Sequence, residues 1–195
     1  GVVNVNASAD GIDSNGQVYI DGGTVIVSGA TSGPDVALDY NGKAVITGGT
    51  FVSTGMQEMA QTFDSSSTQN FITVYYDSTV AAGSEIKVTD KDGNTVLSYN
   101  ADKEFTFAVI SSDKLSTGET YTVTAGDNSN EVTITAGGNT IGERSAGGSG
   151  GPNGNGGPGG NPPTGQPPQK PTDANGNEIE MSGPPSGESS QTENN

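Results

Sequence analysis

Four aspartates in the first forty residues could together bind a divalent cation. Asp13 and Asp39 occupy equivalent positions in two similar stretches of sequence, and Asp10 and Asp35 fall one residue short of the same equivalence. Two carboxylates stacked on neighbouring strands would repel each other by roughly 1 kcal/mol in water. A bound calcium ion would relieve that repulsion, since calcium prefers hard oxygen ligands on turns. The alternative is that these side chains only cap turns in solvent.

Tyrosines are the candidate platforms for sugar rings, because sugar CH groups pack on an aromatic face. Tyr40 directly follows the Asp39 turn and is the first candidate. Tyr19 lies in a predicted strand, where packing in the core or on the surface is an equal alternative. Lys43 is the single basic residue of residues 1–67, and it joins Tyr40 and Tyr19 as a candidate carbohydrate-binding residue.

Two more tyrosines, Tyr75 and Tyr76, are neighbours in the sequence. Successive side chains of a strand point to opposite faces. One of this pair is therefore expected in the core.

The sequence offers few residues of the types that catalyse reactions. The chain has no cysteine and no histidine, which excludes thiol chemistry, zinc bound by cysteine or histidine, and histidine-based triads. A polysaccharide lyase needs a basic group beside its cation, and Lys43 is the one such residue in this part of the chain. A glycoside hydrolase needs two carboxylates across a cleft, whereas the aspartates are expected along one ridge. The sequence therefore predicts that the protein is not an enzyme.

A fifteen-residue block that occurs twice must position these side chains. Residues 15–29 read NGQVYIDGGTVIVSG and residues 41–55 read NGKAVITGGTFVSTG, at an offset of 26 residues. A fixed period of this length is typical of solenoids, and short β-branched runs between Gly-rich turns favour coils of a parallel β-helix. The offset predicts that Ile20 stacks on Ile46. It also predicts Phe51 beside Val25.

The same offset places Asn41 beside Asn15. These two side chains either form an amide ladder or reflect only the preference of asparagine for the left-handed turn conformation.

Residues 1–67 are predicted to hold these coils and a cap. Strands are expected at residues 3–5, 18–20, 24–27, 44–46 and 50–52. Apolar residues at helical spacing over residues 54–67 indicate a short cap or irregular loop, which would cover the open end of the coils. Because the opening GVVNVNA aligns with GGTVIVSG, the chain is expected to begin inside a coil of a longer solenoid.

Residues 68–140 are predicted to form a small β-sandwich-like or capping unit. Alternating apolar and polar residues indicate strands at residues 71–76, 85–90, 95–99, 105–110, 121–125 and 131–135. Asp90, Asp92 and Asn94 have the spacing of a calcium loop, but the closing glutamate is missing. A hairpin turn is therefore favoured there. Residues 141–195 are rich in Gly and Pro and are predicted to be a disordered tail.

The sequence thus predicts an all-β protein: the C-terminal coils of a right-handed parallel β-helix, a small antiparallel β unit, and a disordered tail. Its net charge of −16 argues against binding to nucleic acid or to an anionic membrane surface. No segment approaches 18 consecutive apolar residues, so membrane insertion is not expected.

Several separated motifs resemble a bacterial family of carbohydrate-binding domain-containing proteins. They are DGIDSNG at residues 10–16 with the strand–GGT–strand pattern after it, FTFAVISSDKLSTGETYTV at residues 105–123, and the Gly/Pro-rich tail. The resemblance covers about residues 1–140. It implies a secreted or cell-surface protein with a right-handed parallel β-helix similar to polysaccharide lyases. It also implies binding of plant-type polysaccharides, with calcium on the acidic turns.

The expected function is non-catalytic, calcium-assisted binding of a plant cell-wall type polysaccharide at the bacterial surface or outside the cell. An anionic glycan would need bridging calcium, and a neutral glycan would need the tyrosine platforms. One alternative is a structural or adhesive surface module that binds a protein partner. Another is a degenerate polysaccharide lyase.

Overall fold

The computed structural model describes residues 1–145, and this part of the chain consists of β-strands and connecting segments without a helix. The predicted all-β class is confirmed for these residues. The predicted tail, residues 141–195, lies outside them from residue 146 onward, whereas its first residue, Ile141, is the last residue of the twelfth strand. No helix able to cross a membrane is present among the residues described. In chain order the strands are β1 (Val2–Asn6), β2 (Ile12–Ser14), β3 (Val18–Ser28), β4 (Leu38–Tyr40), β5 (Ala44–Gly55), β6 (Phe71–Val80), β7 (Glu85–Asp90), β8 (Thr95–Asn100), β9 (Phe105–Ser112), β10 (Thr120–Ala125), β11 (Asn128–Thr133) and β12 (Gly138–Ile141).

The strands form three sheets. A mixed six-stranded sheet has the order β1-β3-β5-β9-β6-β12, an antiparallel four-stranded sheet has the order β11-β10-β7-β8, and β2 pairs with β4 in parallel. In the six-stranded sheet β1, β3 and β5 run parallel, whereas β9 pairs antiparallel with both β5 and β6. The six-stranded sheet therefore crosses the predicted boundary between residues 1–67 and 68–140.

The predicted stacking of the duplicated block is present in the register of β3 and β5. Ile20 is the partner of Ile46, and Val25 is the partner of Phe51. Each strand is longer than predicted, because it continues through its Gly-Gly pair with an irregular register between Ile20 and Thr24. The second glycine of each pair has a positive φ, which a residue with a side chain rarely adopts.

Two apolar cores lie on opposite faces of the six-stranded sheet. The first fills the space against the four-stranded sheet and includes Val52 and Ile110. The second lies against the β2–β4 pair and includes Phe51 and Val109. Neighbouring residues enter different cores because side chains alternate across a strand. This sheet is therefore buried on both faces along β5 and β9.

The predicted cap is an irregular loop rather than a helix. Its backbone runs beside the first half of β5, where the N–H groups of Asp64 and Thr68 donate to the carbonyls of Ala44 (2.7 Å) and Ile46 (3.1 Å). These bonds satisfy backbone acceptors of β5. Phe63 is buried in the second core. The loop therefore covers β5 by pairing and by packing.

The predicted hairpin turn between β7 and β8 is confirmed. The Asp90 carboxylate accepts hydrogen bonds from the backbone N–H groups of Asp92 (3.0 Å) and Asn94 (2.8 Å). The side-chain and backbone hydrogen bonds from Asn94 are the largest causes that lower the pKa of Asp90. Gly93 supplies the positive φ of the turn. The last predicted strand, 131–135, is displaced toward the N-terminus and forms β11.

Candidate functional site

Asp13 and Asp39 lie directly opposite each other on β2 and β4, as predicted. Asp13 is exposed, and Asp39 is half-buried. One carboxylate oxygen of Asp39 accepts a hydrogen bond of 2.8 Å from the Gln61 amide. The structure therefore brings together one pair of the four predicted metal ligands.

Asp10 and Asp35 do not complete a cation site with that pair. The Asp10 carboxylate accepts a hydrogen bond of 2.7 Å from the backbone N–H of Val36, so it fastens one loop to the next. Asp35 is half-buried beside that bond. Within residues 1–145 no group of three or more acidic, histidine or cysteine side chains is placed to hold a metal ion. Calcium therefore has no gathered set of ligands among these four residues.

The first candidate for a sugar platform, Tyr40, is a core residue. Its side chain is 6% exposed and packs in the second core, and its hydroxyl donates to the carbonyl of Thr62 at 2.5 Å. On β4 the side chains of Leu38 and Tyr40 point inward, and Asp39 points outward. The alternation of this short strand would have indicated that burial, so the expectation that Tyr40 offers its ring to a sugar is corrected.

Tyr19, by contrast, presents its ring to solvent. It is 53% exposed and is the one aromatic among the exposed large apolar side chains of residues 1–145. Val18 and Ile20 on either side pack toward the second core, which directs Tyr19 outward. Its hydroxyl donates to the side-chain carbonyl of Gln17.

Polar residues lie on either side of Tyr19 along the chain, and others belong to the neighbouring strand β5 and to the loop that pairs with it. The Thr47 hydroxyl donates to the Asp21 carboxylate at 2.7 Å. Lys43 follows Gln17 by the same 26-residue offset, and its carbonyl accepts the N–H of Val18 at 2.9 Å. We call this set of outward side chains the Tyr19 strip, which comprises Gln17, Tyr19, Asp21, Lys43, Thr47 and Asp64.

The Tyr19 strip contains two carboxylates, of Asp21 and Asp64, and one ammonium group, of Lys43. Hydrogen bonds from Ser66 are the largest cause that lowers the pKa of Asp64, and the Lys43 ammonium group lowers it further. Lys43 is half-buried, so its stem packs against the protein. The strip therefore combines one aromatic face with amide, hydroxyl, carboxylate and ammonium groups, which is a set suited to a ligand rich in hydroxyl groups.

The other predicted tyrosine pair behaves as expected. Tyr75 packs against the second core, with its ring centroid 5.1 Å from that of Phe107 and 5.7 Å from the Arg144 guanidinium carbon. Tyr76 lies in the first core, and burial raises its pKa. Neither ring is exposed to solvent as the ring of Tyr19 is.

The sequence did not indicate a polar cluster that joins distant parts of the chain. The hydroxyls of the buried Ser28 and of Tyr99 lie 3.0 Å apart, across 71 residues of sequence. Desolvation by burial is the main cause that raises the pKa of Tyr99. Asp102 accepts a hydrogen bond of 3.4 Å from Ser28. The cluster attaches the β8–β9 connection to β3.

Comparison of this chain with protein-family models, curated proteins and solved structures found no match.

Proposed function

We propose that this protein is a non-catalytic module that binds an extended polysaccharide through the Tyr19 strip. The exposed ring of Tyr19 on β3 is the observation on which the proposal rests. A sugar ring that packs on it buries apolar area on both partners. Gln17, Lys43 and the Asp21–Thr47 pair lie within the same strip and would donate to or accept from sugar hydroxyls.

We further propose that β1 to β5 are coils of a right-handed parallel β-helix, which belong to the C-terminal end of that helix. The parallel pairing of β1, β3 and β5 and of β2 with β4 supports this. The Asn41 amide donates to the Asn15 side-chain carbonyl at 3.3 Å across 26 residues, as an amide ladder between coils requires. Stacked coils present equivalent outward positions in parallel rows, which suits a long polymer.

The net charge of −16 favours a neutral glycan over an anionic one for this strip. Calcium is not needed for the proposed contact, because the strip itself supplies the groups that would bind the sugar. A plant cell-wall polysaccharide and a location at the bacterial surface or outside the cell belong to the proposal on the strength of the sequence resemblance.

Affinity electrophoresis tests the proposal. The protein is run through gels that contain a neutral β-glucan, a glucomannan or polygalacturonate, each with calcium and with chelator. We expect a neutral polymer to retard the protein equally in both buffers. Retardation only by polygalacturonate with calcium would contradict the neutral-glycan reading, and no retardation by any polymer would contradict the function.

Matched variants localise the binding. Tyr19→Ala should weaken binding about tenfold, which corresponds to about 1.4 kcal/mol, while Tyr19→Phe keeps the ring and should bind. Met59→Ala removes another partly exposed apolar side chain, 39% exposed, that is not a member of the strip. If Tyr19→Ala binds as Met59→Ala does, the strip is not the site.

A separate assay tests for catalysis. We expect no unsaturated uronate absorbance when the protein is mixed with polygalacturonate, and the appearance of that absorbance would support the alternative of a degenerate lyase.

A further inference from the structure

One edge of the four-stranded sheet is open along the whole of β11. Strand β11 pairs with β10 on one side, and no strand within residues 1–145 pairs with its other side. The next strand in the chain, β12, pairs with β6 instead. Every residue of β11 is exposed or half-buried. The outer side of β11 is therefore accessible to another strand.

The turn before β11 fixes which of its backbone groups face that outer side. β10 and β11 are joined by the two-residue loop of Gly126 and Asp127, and Gly126 has the positive φ that such a turn requires. The two residues that close this kind of loop, Ala125 and Asn128, exchange both of their backbone hydrogen bonds. The backbone groups of Asn128 therefore point to β10.

The direction of these groups alternates along β11. Residues at every second position of an antiparallel pair bond to the same neighbour. Just beyond β11 the N–H of Ile134 donates to the carbonyl of Glu119 at 2.9 Å, as this alternation from Asn128 requires. The N–H and C=O groups of the intervening positions, Ser129, Glu131 and Thr133, therefore point away from β10 and line the outer side.

The β11 edge has little of the protection that edge strands commonly carry, such as lysine, proline or a bulge. Its sequence is NSNEVT, and it pairs with β10 in an uninterrupted register. By contrast, β8 at the opposite edge of the same sheet has an irregular register against β7. Glu131 is the one charged residue of β11. A strand that pairs with this edge must therefore place no second carboxylate opposite Glu131.

A second copy of β11 meets this condition in one register. Two antiparallel copies must match outward-facing residues with outward-facing residues, which allows only alternate registers. The two with the longest overlap have their two-fold axes through Asn130 and through Glu131. The axis through Glu131 would place two carboxylates directly opposite each other, which is destabilising. The axis through Asn130 pairs residues 128–132 with their copies and places Ser129 opposite Glu131, where the hydroxyl can donate to the carboxylate.

Asn130 lies on the axis of this pairing. Its backbone groups bond to β10, so the two copies of Asn130 form a non-hydrogen-bonded pair, in which side chains approach most closely. The Asn130 side chain is exposed, and its amide has both donors and an acceptor, so that the two copies can bond to each other. We therefore propose that the β11 edge binds the β11 edge of a second copy of this chain, which gives a two-fold dimer with one continuous antiparallel sheet.

The net charge sets the conditions under which this dimer forms. Each chain carries a net charge of −16, so two copies repel each other at low ionic strength. At about 1 M salt the Debye length is about 3 Å, and the repulsion is screened while the backbone hydrogen bonds across the edge remain. The fraction of dimer therefore rises with salt concentration.

Sedimentation of the full chain over a range of protein concentrations at about 1 M salt tests the proposal. We expect the parent to shift from monomer to dimer as its concentration rises. Ser129→Pro removes an outward N–H while the ladder to β10 keeps its donors, and it should remain a monomer. Ser129→Ala keeps that N–H and should still dimerise. A parent that stays monomeric at every concentration would overturn the proposal, and so would a dimer that Ser129→Pro leaves intact.

A cysteine cross-link tests the register without a proline. The chain has no cysteine, so Asn130→Cys introduces a single thiol on the proposed axis, at the short Cβ separation that a disulfide needs. Thr133→Cys is the matched control, because in this register its two copies lie about 20 Å apart, at about 3.4 Å per residue. With oxidised glutathione we expect Asn130→Cys to form the covalent dimer at least about tenfold faster than Thr133→Cys, since pairing raises the local concentration of its thiol. Equal rates for the two variants would overturn the proposal.

Discussion

Gly49 lies directly against Gly23, so closely that a Cβ atom at Gly49 would stand 2.5 Å from the Gly23 carbonyl oxygen. Their φ angles are +92° and +81°. Two backbones therefore touch at this corner of β3 and β5, and both adopt the left-handed region that glycine favours. The recurrence of Gly-Gly-Thr has a steric cause as well as a conformational one.

Alanine substitutions can separate these two causes. We expect Gly49→Ala to lower the free energy of unfolding by about 3 kcal/mol, since roughly 1–2 kcal/mol comes from the left-handed backbone and a further 1–3 kcal/mol from overpacking. Gly93 has a φ of +82° and no atom within 4 Å of an added Cβ, so Gly93→Ala should show only the backbone part. Urea unfolding measures both. Equal losses would mean that the corner tolerates a methyl group.

The opposed carboxylates of Asp13 and Asp39 should destabilise the free protein. We expect Asp13→Asn to raise the free energy of unfolding by about 0.2–1 kcal/mol at low salt, because like charges in direct opposition repel. The gain should vanish at about 1 M salt, where the Debye length is about 3 Å. Asp127→Asn, in the turn before β11, controls for the change in net charge. Unfolding is repeated in calcium, where a loss of stability on Asp13→Asn would instead show that a cation bridges the pair.

The buried hydroxyl of Tyr76 should reduce stability. Its side chain is 3% exposed, and its oxygen is the one buried side-chain polar atom without a hydrogen-bond partner in the part of the chain described. A buried unsatisfied group costs about 1–3 kcal/mol, so Tyr76→Phe should raise the free energy of unfolding by about 1 kcal/mol. The Tyr121 hydroxyl accepts a hydrogen bond from the backbone N–H of Ser116 and donates one to the backbone carbonyl of Lys114. Tyr121→Phe should therefore lower the free energy of unfolding. Chemical denaturation at neutral pH distinguishes the two directions.

Tyr76 should also make the protein sensitive to alkali. Burial raises its pKa in the folded state. Above the unfolded pKa, about 10 for tyrosine, the unfolded chain releases the phenolic proton while the folded protein still holds it, so the free energy of unfolding is unaffected at lower pH and falls as the pH rises above that value. We expect the parent to lose stability from about pH 10 upward and Tyr76→Phe to lose less. Parallel slopes of stability against pH for the two proteins would contradict this.

The ring of Phe63 should hold the loop against the sheet. Its centroid is 4.8 Å from that of Phe51 and 5.6 Å from that of Phe71, both in edge-on contacts. We expect Phe63→Ala to lower the free energy of unfolding by about 3–5 kcal/mol through loss of burial and a residual cavity. Met59→Ala in the same loop should change it by about 0.5 kcal/mol or less. Thermal unfolding measures both variants.

The amino-acid sequence by itself determined the features that depend on local pattern. The 26-residue offset predicted the pairing of Ile20 with Ile46 and of Asp13 with Asp39, because equivalent residues of a duplicated block lie in register. The Asp90 turn followed from residue types that favour a hairpin. The alternation of side chains also predicted that one of Tyr75 and Tyr76 lies in the core.

The tertiary structure alone decided which side chains remain exposed and able to contact a ligand. The burial of Tyr40 depends on the loop that packs against it, and the exposure of Tyr19 depends on the absence of such a neighbour. The pairing of β5 with β9 joins segments more than fifty residues apart, and no periodicity in either segment specifies that partner. Periodicity records which face of a strand is apolar, whereas the element that covers that face is set by long-range packing. For this reason the sequence could propose both Tyr19 and Tyr40, and only the folded chain could distinguish them.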